Sequence, residues 1–287
     1  MRLLRLFFRG LQWLSPVATA WIAERLFFTP HRARLTPAMR TELGTGRRFE
    51  LEVERQRIVG WSWGDGPPVY LVHGWGSRGG RLTAYVRPLA QAGFQVIGYD
   101  GIGHGASGGR MSSMPQLART LQAVVAAHGP AHGLVAHSLG ASATTLAMEW
   151  GLAISRVVFV APAADPVGYT LRWADQLGLT EDVIARLRTA SERRIVFSWS
   201  DLDIVALARR RTVPLLVLHD IADPVIAWGE GSAIAGAWPG SRIVTTRGLG
   251  HSEIVRDPEV VGQAVAFLAK SERMPSATRS ASAIIVT

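Results

Sequence analysis

One pentapeptide, AHSLG at 136–140, places a serine where a reactive hydroxyl could lie. The segment HGLVA before it is typical of a buried strand and GASATTLAMEW after it of a helix, so Ser138 would occupy the sharp turn between them. The usual pattern for a nucleophilic serine on such a turn is G-x-S-x-G, and here Ala136 replaces the first glycine. Because alanine is the next smallest residue, we expect the turn to form. The alternative is a serine that only caps an ordinary helix.

A serine hydroxyl needs a base to become a nucleophile, and the base needs a carboxylate to orient it. On this kind of turn the chain order is serine, then acid, then histidine. Only two histidines follow Ser138, namely His219 and His251. His251 lies in GLGHSEIV after the last predicted strand, where small neighbours would let the loop carry the imidazole over the sheet edge. We predict His251 as the base and expect His219, at a strand end, to flank the loop of the acid.

Two carboxylates follow the strand that ends at His219, in the segment HDIADPVI. Asp220 lies directly at the strand end, where a carboxylate often fixes the turn. Asp223 lies further into the loop, before Pro224, where it could turn toward the base. We predict Asp223 as the acid, with Asp165 after the preceding strand as the alternative.

Acyl transfer also requires hydrogen-bond donors for the negative charge that develops on the carbonyl oxygen. One donor would be the backbone N–H of Leu139, the residue after the serine. The second would come from the loop in YLVHGWGSRGG, where we predict the backbone N–H of Trp75. The Trp75 indole could line the pocket at the same time, and we expect His73 to brace this loop by hydrogen bonds.

The elements around these residues alternate between strand and helix, which predicts an α/β fold with a mostly parallel sheet covered by helices on both faces. The exception is the stretch between Val160 and Val213, which is too long for one crossover and predicts an inserted helical cap at about 163–211. A hairpin is predicted from residue 48, with its turn near Arg55 and Gln56. The further predicted strands are 69–72, 94–99, 132–136, 156–160, 213–218 and 241–246, and the predicted helices are 80–92, 115–128, 139–150, 229–237 and 257–270.

The formal net charge of +9 is concentrated in one part of the chain. Residues 1–48 hold nine arginines and two acidic residues, so the remaining 239 residues carry only +2. A nearly neutral body argues against a nucleic-acid groove. The chain has no cysteine, and its histidines show no metal-ligand spacing. The glycines of GIGHGASGG lack the helix and the acidic residue of a dinucleotide site, so we expect neither metal nor cofactor.

The first 47 residues form a basic amphipathic arm, in which Arg2, Arg5, Arg9 and Gln12 share one helical face. Leucine and phenylalanine occupy the other face, at positions 3, 6, 7, 11 and 14. Three interpretations stay open: the apolar face packs on the body of the protein, it contacts a membrane surface, or the segment is a cleaved signal with Ala18-Thr19-Ala20 at the cleavage site. We expect a cytoplasmic protein, with peripheral contact at the inner face of the membrane as one possibility, and a loose tail at 271–287.

The motifs LVHGWG, YDGIGHGASGG, GLVAHSLGA, LHDIADPVI and GLGHSEI resemble, in this order, those of the α/β-hydrolase superfamily, over residues 50–270. The closest resemblance is to small bacterial serine hydrolases with a helical cap. It implies Ser138 as nucleophile, Asp223 as acid, His251 as base and a carboxylesterase acting on a small-molecule ester without cofactor. Thioester cleavage, a C–C bond hydrolase and a cofactor-free perhydrolase or haloperoxidase would use the same residues. A non-catalytic protein that binds membrane surfaces is the alternative from another class.

Overall fold

The computed structural model describes residues 2–270, so the tail predicted at 271–287 lies outside the described residues. In the described part of the chain one eight-stranded sheet has the order β1-β2-β4-β3-β5-β6-β7-β8. The first two pairings, β1 with β2 and β2 with β4, are antiparallel and the others are parallel. The strands are β1 (Arg47–Val53), β2 (Gln56–Trp63), β3 (Pro68–Val72), β4 (Gln95–Asp100), β5 (Ala131–His137), β6 (Ile154–Val160), β7 (Leu215–Asp220) and β8 (Arg242–Thr246).

Twelve α-helices accompany the sheet within residues 2–270, and the predicted α/β fold is confirmed. Apolar cores on the two faces of the sheet explain the short, fully apolar strand sequences. The helices are α1 (Arg2–Leu14), α2 (Pro16–Phe27), α3 (Pro37–Gly44), α4 (Val86–Gln91), α5 (Met114–His128), α6 (Leu139–Glu149), α7 (Pro166–Leu177), α8 (Glu181–Ile195), α9 (Ile204–Ala208), α10 (Trp228–Ala237), α11 (Gly250–Glu253) and α12 (Pro258–Leu268).

The β1–β2 hairpin turns at Glu54 and Arg55, both of which have positive φ (50° and 60°). Two positive φ values match the twist of the flanking strands, so the turn sets the register of the pair. The predicted helix at 80–92 differs in the structure, because a 3-10 helix (Gly79–Tyr85) precedes the short α4. Gly79 approaches strand β4 closely, since a Cβ there would lie 2.8 Å from the Tyr99 carbonyl oxygen.

Between β6 and β7 the chain forms three helices, α7, α8 and α9, and a 3-10 helix (Trp199–Leu202). This is the segment where the sequence predicts a cap. The Asp165 carboxylate accepts a hydrogen bond from the Gly168 N–H at the start of α7. Helix α8 ends at Ile195, and the residue that follows it, Val196, has a left-handed conformation with a φ of 61°.

The arm packs on this cap through α1 and α2. Phe8, Ala20 and Ala23 join Ala174, Leu177, Val183 and Leu187 of the cap in one buried cluster. The Gln12 amide donates to the Gly178 carbonyl (2.9 Å) and accepts from the Thr180 N–H (2.9 Å), and the buried Glu24 carboxylate pairs with the Arg194 guanidinium.

The face of α1 that packs on the cap is not the apolar face, whose packing on the body was one of the three open interpretations. Phe8 and Gln12 face the cap, whereas Leu3 (84% exposed), Leu6, Phe7 and Leu14 point away from it. The small residues of α2 and α7 pack in one cluster with the Phe8 ring. The backbone of the turn between α7 and α8 is hydrogen-bonded by the Gln12 amide, which a leucine could not replace. Most of the apolar face therefore stays exposed.

Candidate active site

Ser138 lies at the turn between β5 and α6, with φ 56° and ψ −128°. This conformation is unfavourable for a residue with a side chain and costs about 1–3 kcal/mol. The Ser138 N–H donates to the Val160 carbonyl oxygen (3.1 Å), and the Ser138 carbonyl accepts from the Ala141 N–H (3.0 Å). The strand and the helix thus hold the strained residue on both sides, and its hydroxyl faces a cavity.

The replacement of the first glycine of the pattern by Ala136 is explained by the packing. Ala136 is fully buried within β5, and its methyl group is part of the core. The second glycine is the one that the turn requires, because a Cβ at Gly140 would lie 2.7 Å from the His73 carbonyl oxygen and 2.8 Å from that of Val72. Gly74 is equally constrained, since a Cβ there would lie 2.7 Å from the Cβ of Ser138.

The structure brings three of the predicted residues together at the carboxyl edge of the sheet. His251 Nε2 lies 3.1 Å from Ser138 Oγ, and His251 Nδ1 lies 2.8 Å from Asp223 Oδ2. Both distances are within hydrogen-bond range. His251 is in the short helix α11, so the predicted glycine-bracketed turn is in fact one helical turn.

The Asp223 carboxylate is fully buried and accepts several hydrogen bonds. Its Oδ1 accepts from the Val225 N–H (2.8 Å) and the Ile226 N–H (2.9 Å). His219 Nε2 approaches Oδ2 to 3.4 Å, so His219 flanks this loop. Burial by itself would raise the pKa of Asp223, but the hydrogen bonds from His219, His251 and the two N–H groups outweigh it and hold the pKa below its usual range.

The other two carboxylates considered from the sequence have structural partners. Asp220 fixes the turn after β7, accepting from the Ala222 N–H, the Thr246 hydroxyl and the Leu249 N–H. Burial would raise the pKa of Asp220, and these hydrogen bonds lower it overall. Asp165 caps α7 and pairs with Arg172, at 3.3 Å. The structure therefore brings Asp223 to His251 and leaves Asp220 and Asp165 bound elsewhere.

A residue that sequence reasoning missed contacts the backbone of His251. His137, directly before Ser138, donates from Nε2 to the His251 carbonyl oxygen (3.1 Å), and the two rings lie 4.6 Å apart. Burial lowers the pKa of His137 to about 3, so its imidazole is neutral at neutral pH. The signal in the sequence is a histidine that ends a strand directly before the serine.

The predicted oxyanion donors lie on either side of Ser138. Leu139 is the first residue of α6, where a backbone N–H has no partner within the helix. Trp75 follows β3 in the loop that passes over Ser138, and both Trp75 and Leu139 line the cavity. The Trp75 indole meets the His104 ring edge-on at 5.3 Å.

Two buried histidines hold the Trp75 loop against the loop after β4. His73 donates from Nδ1 to the Gly74 carbonyl (2.8 Å) and accepts from the Gly101 N–H at Nε2 (2.9 Å). His104 donates from Nδ1 to the Ile102 carbonyl (2.8 Å) and accepts from the Gly76 N–H (3.0 Å). Each imidazole uses one nitrogen as a donor and the other as an acceptor, so both must be neutral.

Burial enforces this neutral state. It lowers the pKa of His73 to about 4 and that of His104 to about 3, with a further contribution from the mutual proximity of the two rings for His104. The sequence predicted the bracing role of His73 but not that of His104. The glycine-rich segment GIGHGASGG, which superficially resembles a dinucleotide site, is thus the partner of the Trp75 loop.

A cavity of about 240 Å³ opens beside Ser138 and His251 between the sheet and the cap. Its wall is mainly apolar and includes residues of the arm, of the loop before α5 and of the cap. Trp199 lines the cavity, whereas Trp173 packs against Phe27, with the ring centres 5.2 Å apart. Apolar lining residues include Phe27, Phe28, Met114, Val167, Ile195 and Trp199.

Comparisons with known proteins agree with this fold. A family model described as "Serine aminopeptidase, S33" matches residues 67–209. The fold matches a bromoperoxidase from Bacillus anthracis, with a TM-score of 0.63 and 18% identity over 78% of this chain and 100% of that one. It also matches ferulic acid-bound Est1E from Butyrivibrio proteoclasticus, with a TM-score of 0.63 and 18% identity over 77% and 100% of the two chains. The chain belongs to the α/β-hydrolase superfamily.

An esterase from a Rhodococcus species is also similar to this α/β-hydrolase, with a TM-score of 0.57 and 21% identity over 79% of this chain and 99% of that one. Comparison with curated protein sequences gives no match. At these identities the solved structures establish the shared fold, and the family model supports hydrolytic chemistry. The bond that this α/β-hydrolase cleaves has to be argued from its own site.

Proposed function

We propose that this α/β-hydrolase is a carboxylesterase that acts through an acyl-enzyme on Ser138. The observation that carries the proposal is the continuous hydrogen-bonded path from Ser138 Oγ through His251 to Asp223. His251 takes the hydroxyl proton as the oxygen attacks the ester carbonyl, and Asp223 holds the ring and stabilises its positive charge. His251 then gives the proton to the leaving alcohol.

Water completes the reaction by the same path in the second half. His251 takes a proton from water, the resulting hydroxide attacks the acyl carbonyl, and the acid leaves as Ser138 regains its proton. The N–H groups of Leu139 and Trp75 would hold the carbonyl oxygen while it carries negative charge. Removing one such donor typically costs about a hundred- to a thousand-fold in rate.

The cavity favours an ester with an apolar acyl or aryl group over a substrate with a free amine. A substrate ammonium group would need an unpaired carboxylate, and the two carboxylates on the cavity wall, Asp165 and Glu230, both lie close to Arg172 (3.3 and 3.6 Å). Glu230 also accepts from the Ala164 N–H (2.8 Å). We therefore propose small to medium apolar esters as substrates, rather than peptides with a free amino terminus.

Labelling with a fluorophosphonate probe tests the nucleophile. We expect the native protein to be labelled once, and Ser138→Ala to remain unlabelled. Ser113→Ala is the matched control, because Ser113 also lies on the cavity wall. Equal labelling of Ser138→Ala and the native protein would reject the assignment.

A panel of p-nitrophenyl esters of increasing acyl length tests the substrate class. We expect hydrolysis of apolar esters and little release from aminoacyl p-nitroanilides. The similar structures include a bromoperoxidase as well as esterases, so the panel should be repeated with hydrogen peroxide. Peracid formation faster than ester hydrolysis would favour the perhydrolase alternative, and cleavage of a diketone without ester hydrolysis would favour the C–C bond hydrolase.

A further inference from the structure

The arm exposes an unusual amount of apolar surface, which we call the arm face. It consists of the outward side chains of α1 and α2. Leu3 is 84% exposed, Trp13 87% and Leu14 75%, and none of these side chains contributes to the apolar cluster that docks the arm on the cap. The arm face comprises Leu3, Leu6, Phe7, Trp13, Leu14, Val17 and Trp21. Contiguous exposed apolar surface of this kind marks an interaction site.

The charges beside the arm face are all positive. Arg2 and Arg9 are exposed and lie on α1 between the arm face and the docked face, and Arg25 is placed 5.0 Å over the Trp21 ring. The sequence has no acidic residue before Glu24, and Glu24 is buried against Arg194. Exposed Arg193 of α8 lies on the wall of the groove between α2 and α8.

We propose that the arm face docks this protein on the surface of an anionic phospholipid bilayer. Leucine and phenylalanine would enter the boundary of the acyl chains, Trp13 and Trp21 would lie at headgroup level, and the arginines would meet lipid phosphates. Within residues 2–270 no helix is long and apolar enough to cross a bilayer. An amphipathic helix such as α1 would lie along the surface.

Charge decides between a bilayer and a second copy of the chain as the occupant. A symmetric dimer through the arm face would bring Arg2 and Arg9 of the two copies near one another, with no carboxylate from the first 23 residues to compensate. An anionic bilayer compensates all of these charges. The arm face therefore fits lipid better than it fits itself.

The arm also reaches the cavity, because α2 ends at Phe27 and both Phe27 and Phe28 line the cavity wall. Docking would therefore place the cavity near the bilayer, where apolar esters concentrate. This step rests on the proposed esterase function, whereas the docking itself does not.

Sedimentation with vesicles tests the docking. The probes are vesicles of phosphatidylcholine alone and of phosphatidylcholine with phosphatidylglycerol, and the protein is the full chain carrying Ser138→Ala, which separates binding from turnover. We expect binding only to the anionic vesicles. Substituting Leu3→Ser, Leu6→Ser and Trp13→Ser together should weaken it at least tenfold, and Arg2→Gln with Arg9→Gln should weaken it about fivefold for each arginine.

The matched control is Val196→Ser with Leu171→Ser, which removes exposed apolar groups of the cap outside the arm face. This control should bind like the unsubstituted chain. Equal binding to neutral vesicles, equal loss in the control, or a dimer in light scattering that dissociates on the Leu3, Leu6 and Trp13 substitutions would each overturn the proposal. Absence of esterase activity in the native protein, while the Ser138→Ala chain binds anionic vesicles, would count against the proposed function alone.

Discussion

His104 provides a sharp test of how the Trp75 loop is held. Its imidazole is fully buried, donates to the Ile102 carbonyl and accepts from the Gly76 N–H, so protonation would remove the acceptor and bury a charge. The perturbation is His104→Gln, which offers an amide oxygen to Gly76 but does not titrate. The measured quantity is the free energy of unfolding of both proteins as a function of pH.

The sign follows from the lowered pKa of His104, about 3 in the folded protein against 6.5 in an unperturbed histidine. As the pH falls below 6.5, the unfolded chain takes up a proton that the folded chain refuses, so stability is complete above that pH and is lost progressively toward pH 3. At about pH 5 the loss is roughly 1.5 pH units at 1.36 kcal/mol each, or about 2 kcal/mol. His73 and His137 add losses of the same size, so we expect marked acid lability.

Urea unfolding of the native protein and His104→Gln, at about pH 7.5 and about pH 5, gives the two differences needed. The difference in free energy of unfolding between the two proteins should move in favour of the variant by about 2 kcal/mol on acidification. His31→Gln, at an exposed histidine, is the control for the substitution itself. A difference that stays constant with pH would show that His104 is not held neutral, and the reasoning would fail.

Three further changes follow from the site. Asp223→Asn should lower kcat on the order of ten-thousand-fold with little change in KM, because His251 would lose the acceptor that fixes its tautomer; steady-state ester hydrolysis measures this, and a loss under tenfold would contradict it. Gly74→Ala should abolish activity, because the new Cβ would lie 2.7 Å from that of Ser138. Gly262→Ala in α12, where the new Cβ would meet no atom within 4 Å, should keep activity and raise the free energy of unfolding by about 0.5–1 kcal/mol. An active Gly74→Ala would show that the loop can move aside.

Much of the fold could be predicted because buried parallel strands are nearly continuous apolar runs, and β5 and β6 are both of this kind. Helix α6 was predicted almost to its ends because it begins at the strained serine. Helix α3 was not predicted, since it is only eight residues long and buries one side chain, Leu43. The exposed side of α1 could not be predicted either, because periodicity reveals two faces but not which of them meets the cap.

The candidate site divides in the same way. Chain order and loop chemistry were sufficient to select Ser138, Asp223 and His251 for a shared site, and the structure brings these side chains together. The roles of His137 and His104 depend on contacts between segments distant in the sequence, His137 with the His251 carbonyl and His104 with the Gly76 N–H. No local pattern reveals such a contact. The exclusion of nucleic acid, the absence of a cofactor and the cytoplasmic location stay predictions.

Phe27 and Phe28 belong to the arm and yet form part of the cavity wall beside Ser138. A protein shortened to begin after Phe28 would therefore lose its first two helices and, at the same time, one side of the cavity beside Ser138. Substrate profiles measured on such a shortened protein would describe a wider and more solvent-exposed cavity than the one in the full chain. A change in selectivity could then not be attributed to the missing helices alone.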